Sequence, residues 1–143
     1  MWLFKTYSLW GQLFARIALG LIFISHGAQK IFGLFGGHGW SATVEGFEKT
    51  LGIPPIMAII TQFFGGVAAL LGLFTRIAAL GLAITIGDAI THAHFQNGFF
   101  LQMSCEGNCL HGIEYNLSLL ALSLSLVFLG GGNFSMYKTI LNM

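Results

Sequence analysis

The sequence RIAALGLAITIGDAITHAHFQNGFF, residues 76–100, sets the structural class of the chain. After Arg76 it is an uncharged apolar run, and it acquires Asp88, His92 and His94 before it would finish crossing a bilayer. An ionisable side chain inside a membrane segment costs about 2.5 to 3.5 kcal/mol, so it normally faces a partner or a cavity and not lipid. Asp88 and His92 are four residues apart and share a helical face, whereas His94 points to another side. The stretch therefore predicts a membrane helix with a polar face near its end.

The composition extends this interpretation to the whole chain. Of the 143 residues 55% are hydrophobic and only 8% are charged, against about 25% charged residues in an ordinary soluble domain. The mean hydropathy is +0.79. These values predict an integral membrane protein of one domain, and a net charge of +1 argues against a nucleic-acid partner. No small-x-small site follows the first apolar residues, so we expect no cleaved signal.

Spacing along the chain predicts an all-α bundle of four membrane-spanning helices. Each apolar segment is close to the roughly 17 to 25 residues that a spanning helix needs. The segments are residues 13–35, 55–74, 77–95 and 113–129. In the first long loop, Ser41 is suited to cap a short amphipathic helix on the membrane surface, with Val44, Phe47 and Leu51 on its apolar face. An ordered loop is the alternative.

The distribution of basic residues predicts the orientation in the membrane. Lys5, Arg16, Arg76 and Lys138 fall on the side of the termini, and Lys30 and Lys49 fall on the other side. Because an excess of positive charge stays in the cytoplasm, both termini are expected inside, in the cell membrane.

Two stripes of small or polar residues predict how the helices pack. In the second helix Gly65, Ala69 and Gly72 form a small face that another backbone could approach closely. In the fourth helix a polar and small stripe is expected to face the interior. It consists of Glu114, Ser118, Ala121 and Ser125.

In this topology, polar side chains from all four helices converge on the outer half of the bundle. They are His26, Lys30, Gln62, Asp88, His92 and Glu114. One interpretation is that they hold the helices together through mutual contacts. The other is a pocket for a small polar or amphipathic ligand, in which Lys30 holds an anion and His26 or His92 exchanges protons with a quinone-like carbonyl. No spacing supports haem ligation or a metal site.

Cys105 and Cys109 lie in the outer loop MSCEGNCLHG. A separation of four residues in an oxidising compartment favours a small disulfide loop over metal binding. Whether the pair is structural or redox-active stays open at this point, because reactivity depends on the surroundings of the thiolate.

From Arg16 to Tyr137 the chain resembles the DoxX-like family of small four-helix membrane proteins. The resemblance is carried by five motifs in order. They are RIALGLIFISHGAQKIFGLFGGHG, GFEKTLGIPP, QFFGGVAALLGLFTRIAAL, AHFQNGFF and GIEYNLSLLALSLSLVFLGGGNFSM. The resemblance implies a transmembrane four-helix bundle, linked in some members to thiosulfate:quinone oxidoreductase or to other membrane redox assemblies.

The resemblance also assigns polar positions. The family's recurrent polar residues correspond here to His26, Lys30, His94 and Glu114, so His94 joins the candidate ligand-binding residues. Gln62 stands where the family commonly has glutamate, and Asp88 is additional to the usual pattern.

Two functions of different kinds follow as expectations. The first is a membrane redox subunit that binds a quinone or a small sulfur-containing anion in the outer polar layer. The second is a non-catalytic subunit of a larger membrane complex, since the sequence shows no complete catalytic constellation. Membrane lipid, other membrane subunits and a second copy of the chain are the expected partners. A solute carrier is less favoured because the helices lack paired broken segments.

Overall fold

The computed structural model of the protein describes residues 10–47, 52–100, 112–132 and 134–141, and these residues form helices and no strand. The predicted all-α class is thus confirmed. The helices are α1 (Trp10–Phe32), α2 (Gly39–Phe47), α3 (Pro55–Leu71), α4 (Thr75–Ala89), α5 (Glu114–Leu129) and α6 (Met136–Leu141). A π-helical turn, Ile90–His94, and a 3-10 turn, Phe95–Asn97, continue α4.

Two of the described helices are long and apolar enough to cross a membrane by length and composition. They are Trp10–Phe32 and Thr75–Asn97, each of 23 residues. Helices α3 and α5 are apolar but shorter, with 17 and 16 residues.

Glycines in the left-handed conformation set the ends of α1 and α3. Apolar run length predicts a first helix as far as residue 35, but α1 ends at Phe32 because Gly33 has φ 68°. Gly72, with φ 74°, ends α3 and donates its N–H to the carbonyl of Ala69. Both glycines adopt a conformation that costs other residues about 1 to 2 kcal/mol.

The short helix of the first loop begins earlier than the sequence predicts. Helix α2 starts at Gly39, so the prediction that Ser41 caps it is wrong, and Ser41 lies inside the helix. Within its first turns the hydroxyl of Thr43 donates to the Gly39 carbonyl at 2.6 Å. The predicted apolar position Leu51 lies outside the described residues.

Glycines also bring α1 and α3 into backbone contact. A Cβ atom added at Gly66 would lie 2.9 Å from the Ile24 amide nitrogen, and one added at Gly27 would lie 2.6 Å from Phe63 Cβ. Gly65, which belongs to the predicted small face, meets Leu82 of α4 instead. Helix α3 therefore uses adjacent glycines to pack against two different helices.

The interior-facing stripe predicted for the last long helix is wrong. Ser118 and Ala121 are exposed, while the buried residues of α5 are Leu119, Ser123 and Leu126. The hydroxyl of Ser118 donates to the carbonyl of Glu114 one turn earlier, at 3.0 Å. A serine satisfied by its own helix in this way needs no partner in the interior.

The hydrophobic core joins all four long helices. Its buried members are Leu19, Phe23, Ala69, Ala79, Leu82, Ile86, Leu119 and Leu126. They come from α1, α3, α4 and α5, so each of these helices has one face in the core and another that is exposed.

Arg16 connects several segments through hydrogen bonds at the end of the core where α1 begins. Its side chain is only 2% exposed, and its guanidinium donates to the carbonyls of Ala69 at 2.9 Å and Leu70 at 2.8 Å in α3. The same group donates to the carbonyls of Gly131 at 3.0 Å and Phe134 at 3.2 Å. Arg16 thus ties α1 to the end of α3 and to the segment after α5.

Candidate functional site

Lys30 and Gln62 meet at the other end of the molecule, where α1 ends and α3 begins. The ammonium of Lys30 donates to Oε1 of Gln62, whose side chain is buried. The close contact of Gly27 with Phe63 brings the two helices near enough for this bond. A cation in the last turn of an apolar helix therefore donates to a neutral hydrogen-bond acceptor.

His26 lies one turn before Lys30 and lines a separate pocket. This pocket has a volume of about 370 Å³, within the usual range for small-molecule sites of about 300 to 1,000 Å³. Its lining combines an apolar wall with a few polar side chains. The residues are Leu21, Ile22, Ser25, His26, Gln29, Phe35 and Tyr115. We call it the His26 pocket.

A second pocket, of about 360 Å³, contains Lys30. It is lined by Gln29, Lys30, Gly36, Gly37, His38, Ala42, Thr43 and Gly46. Gln29 is common to both pockets, and its amide donates to the Phe35 carbonyl at 3.2 Å. Two basic side chains and several glycine backbones make this second space, the Lys30 pocket, suited to a small anion.

Asp88 and His92 form a third group, at the end of α4. His92 Nδ1 lies 3.2 Å from Asp88 Oδ1, and both carboxylate oxygens accept the N–H of Gly52, at 3.1 and 3.2 Å. The side chain of Asp88 is 8% exposed and that of His92 is 51% exposed. The pair thus joins a buried carboxylate to an imidazole that reaches the surface.

His94 and Glu114 lie on either side of the segment that connects α4 to α5. His94 is half-buried in the same π-helical turn as His92, and turns of this kind are frequent at functional sites. Glu114 is the first residue of α5, where a carboxylate interacts favourably with the helix dipole. Its amide donates to the carbonyl of Phe99 at 3.0 Å, which holds the start of α5 beside the turn after α4.

Four of the seven predicted site residues form two pairs among the described residues. A hydrogen bond joins Lys30 to Gln62, and an ion pair joins Asp88 to His92. No group of three or more described His, Cys, Asp or Glu side chains is placed to hold a metal ion. Cys105 and Cys109, with their predicted disulfide, lie outside the described residues.

Sequence reasoning missed Tyr115 and His38. Tyr115 follows Glu114 directly and lines the His26 pocket, and His38 lines the Lys30 pocket. The available signals were the adjacency of Tyr115 to an acidic residue and the position of His38 within the glycine-rich run GLFGGHGW.

Comparison with known proteins identifies relatives of this chain. The DoxX family model matches residues 11–95. A Bacillus subtilis (strain 168) protein named "Putative oxidoreductase CatD" is 31% identical over 123 residues, covering 84% of this chain and 79% of that protein. Inner membrane protein YqjF of Escherichia coli (strain K12) is 34% identical over 93 residues, covering 62% of this chain and 66% of that protein. An uncharacterized protein of Haemophilus influenzae is 32% identical over 117 residues, covering 81% of this chain and 76% of that protein. No solved structure matches the chain.

Proposed function

The chain belongs to the DoxX family, and from this premise we propose that it is a multi-pass redox subunit of the cell membrane that binds a quinone in the His26 pocket. The family and the Escherichia coli relative, named an inner membrane protein, make the chain a membrane protein. The name of the Bacillus subtilis relative supports a redox role. Neither name states a ligand, so the choice of quinone rests on the pocket.

The proposed arrangement in the membrane is a bundle of α1, α3, α4 and α5 as antiparallel spans. This accounts for the exposed apolar faces, which would contact lipid. It also places the end of α1, the start of α3, the end of α4 and the start of α5 at one level. Gln62 is seven residues into α3, about 10 Å from its start, and His26 is six residues, about 9 Å, from the end of α1. Both would lie within the outer half of the bilayer.

The His26 pocket combines apolar side chains with hydrogen-bond donors, and this combination is the main support for the proposal. A quinone head group is a flat ring with two carbonyl oxygens, so it needs an apolar slot and hydrogen-bond donors. Leu21 and Phe35 supply apolar wall, and His26 and Tyr115 supply donors. Leu21 is 55% exposed and Phe35 is 74% exposed. A lipid-soluble ligand could therefore enter from the bilayer side.

Lys30 and the Asp88–His92 pair have supporting roles in this proposal. A bound quinone would accept two electrons and two protons on reduction. A partner redox protein would supply the electrons. In this proposal His26 donates a proton at a carbonyl oxygen, and Lys30, which lines the neighbouring pocket, contributes positive charge one turn along α1. His92 reaches the surface and Asp88 is buried, so this pair is suited to carry protons inward from outside.

Binding of a short-chain quinone analogue to the purified full chain in mild detergent tests the proposal. We expect His26→Ala to raise the Kd at least tenfold, because it removes a donor from the pocket wall. His38→Ala is the matched control, since it removes a histidine from the neighbouring pocket and should leave quinone binding unchanged. Wild-type protein without quinone binding, or a His26→Ala variant that binds like wild type and unfolds at the same temperature, would contradict the proposal.

A small sulfur-containing anion is the alternative ligand, and its place would be the Lys30 pocket. Thiosulfate is the probe, and the residues expected to matter are then Lys30 and His38 rather than His26. Thiosulfate binding that is lost in Lys30→Ala and His38→Ala, together with no quinone binding, would assign the anion as the ligand.

A non-catalytic accessory subunit is the second candidate function, and one feature of α1 favours it. Gly11, Ala18 and Ser25 recur every seven residues and are exposed, and a Cβ atom added at Gly11 would meet nothing within 4 Å. Small residues on an exposed membrane face allow another helix to approach. Purification from native membranes in mild detergent tests this candidate. A chain that runs alone or only with copies of itself would count against it.

A further inference from the structure

A cavity at the end of the molecule opposite the His26 pocket lies between the start of α4 and the end of α5. Its volume is about 530 Å³, larger than that of the His26 pocket or the Lys30 pocket. It is lined by Gly72, Phe74, Thr75, Arg76, Ile77, Leu129, Gly130, Gly131, Gly132 and Ser135. We call it the Arg76 cavity. None of the residues that line it belongs to the candidate site at the other end.

Arg76 is the cationic group of this cavity and its guanidinium is weakly engaged. The side chain is exposed and makes one hydrogen bond within the described residues, from Nη2 to the Phe128 carbonyl at 3.3 Å. Gly130, with φ 78°, makes room for it, because a Cβ atom there would lie 3.3 Å from Arg76 Nε. Arg16, in contrast, is buried and donates to four carbonyls. Arg76 therefore retains donors for a ligand.

Thr75 provides a second, independent indication of a ligand. The residue is only 5% exposed and lines the cavity, and its hydroxyl forms no hydrogen bond with any residue that the structure describes. As a donor in the cavity wall, this hydroxyl could bond an acceptor placed in the cavity. An acceptor that reached Thr75 and Arg76 together would be an oxygen-rich anion.

The rim of the cavity is apolar and exposed. Phe74 is 65% exposed, Ile77 is 71% exposed and Leu129 is 50% exposed. In a membrane protein such a rim faces acyl chains at the level where aromatic side chains are enriched. The site thus offers an anion-binding group beside a surface for hydrocarbon.

We infer that the Arg76 cavity binds the phosphate of an anionic phospholipid from the inner leaflet. The arginine fork matches the geometry of phosphate oxygens, and Thr75 adds a neutral donor. The end of the chain that carries Arg16 and Arg76 is the one that the distribution of basic residues places in the cytoplasm, where the leaflet is negatively charged. This inference uses the proposed orientation but not the proposed quinone site, so either can fail without the other.

The test measures the unfolding temperature of the purified full chain in the presence of different lipids. Phosphatidylglycerol should raise the unfolding temperature of the wild type by several degrees relative to phosphatidylcholine. Arg76→Gln should abolish that increment and Thr75→Val should reduce it. Lys49→Gln, the control, also removes one positive charge but from a position outside the described residues, and it should keep the full increment.

Three results would overturn the inference: equal stabilisation by both lipids, an undiminished increment in Arg76→Gln, or inorganic phosphate that reproduces the increment without lipid. Native mass spectrometry of the folded population gives a second measurement that does not depend on the stability of the variant. Wild type should retain phosphatidylglycerol and Arg76→Gln should not, and equal retention would also contradict the assignment.

Discussion

At the residue scale, Arg16 combines a buried charge with a complete set of acceptors. Its four carbonyl partners lie near the C-terminal end of α3 and in the segment that follows α5. Helix C-termini carry unsatisfied carbonyls and a partial negative charge, so a cation there is stabilised. The arginine therefore joins three parts of the chain at a point where backbone acceptors would otherwise be buried without donors.

Replacement of Arg16 should destabilise the protein strongly. We expect Arg16→Gln to lower the free energy of unfolding by about 3 kcal/mol or more, because several hydrogen bonds from a charged donor are lost together. Arg76→Gln, which removes an exposed arginine with one described hydrogen bond, should cost less than about 1.5 kcal/mol. Denaturant titration of both variants in detergent measures the difference. Similar losses in the two variants would show that Arg16 does not have this role.

The sequence reveals some residue roles because their partners are close along the chain. Asp88 and His92 are four residues apart, and helical geometry alone places them together. The partners of Arg16 are 53 to 118 residues away and are backbone carbonyls, which leave no trace in side-chain patterns. Ser123 is a similar case, since it is fully buried without a hydrogen-bond partner in the described chain, whereas the pattern favours the exposed Ser118 as the interior residue.

At the element scale, the contact of α1 with α3 positions Lys30 against Gln62. Gly27 lies one turn before Lys30, and a Cβ atom added there would lie 2.7 Å from Phe63 Cα. Because backbone atoms of α3 cannot rotate out of the way as a side chain can, the two helices would have to move apart. The geometry of the candidate site thus depends on a glycine that takes no part in its chemistry.

Two alanine substitutions on α1 separate packing from helix propensity. Gly11→Ala should be neutral or stabilise by up to about 1 kcal/mol, because the position is open and alanine favours the helix. Gly27→Ala should destabilise despite the same gain in propensity, and it should weaken ligand binding through Lys30. Thermal unfolding and ligand titration of the two variants provide the comparison. A Gly27→Ala variant as stable as Gly11→Ala would mean that the close packing is absent in the membrane.

Apolar run length predicts the approximate position of the long helices but not their ends. The ends depend on glycine conformation, as at Gly33, and on the π-helical turn Ile90–His94, which alters the 3.6-residue period used to place His94. Hydrophobic periodicity identifies the buried face of a helix only where that face lacks polar residues. Helix α5 has serines on several sides. For that reason the sequence pattern selects the wrong stripe of α5.

At the scale of the whole molecule, the two ends carry different chemical groups. One end has Arg16, Arg76 and the glycine-rich segment after α5, and the other has the His26 and Lys30 pockets. The distribution of basic residues predicts that the first end lies in the cytoplasm. The candidate ligand site would then lie in the half of the membrane that faces away from the cytoplasm.

Reporter fusions at the C-terminus test this orientation. A fusion with a fluorescent protein that folds only in the cytoplasm should fluoresce, and a fusion with alkaline phosphatase, which is active only outside, should be inactive. Single-cysteine variants labelled from outside with a membrane-impermeant maleimide provide the control, and His38→Cys should react. An active phosphatase fusion with a dark fluorescent fusion would reverse the orientation.

The most direct test of the central claim is to map where a photoreactive quinone attaches to the full chain in native membranes. The probe should label the segment of α1 around His26 or the start of α5 around Tyr115, and an excess of unlabelled quinone should suppress that labelling. Labelling of the Arg76 end, or labelling spread along the helices and unaffected by competitor, would contradict a quinone site in the His26 pocket.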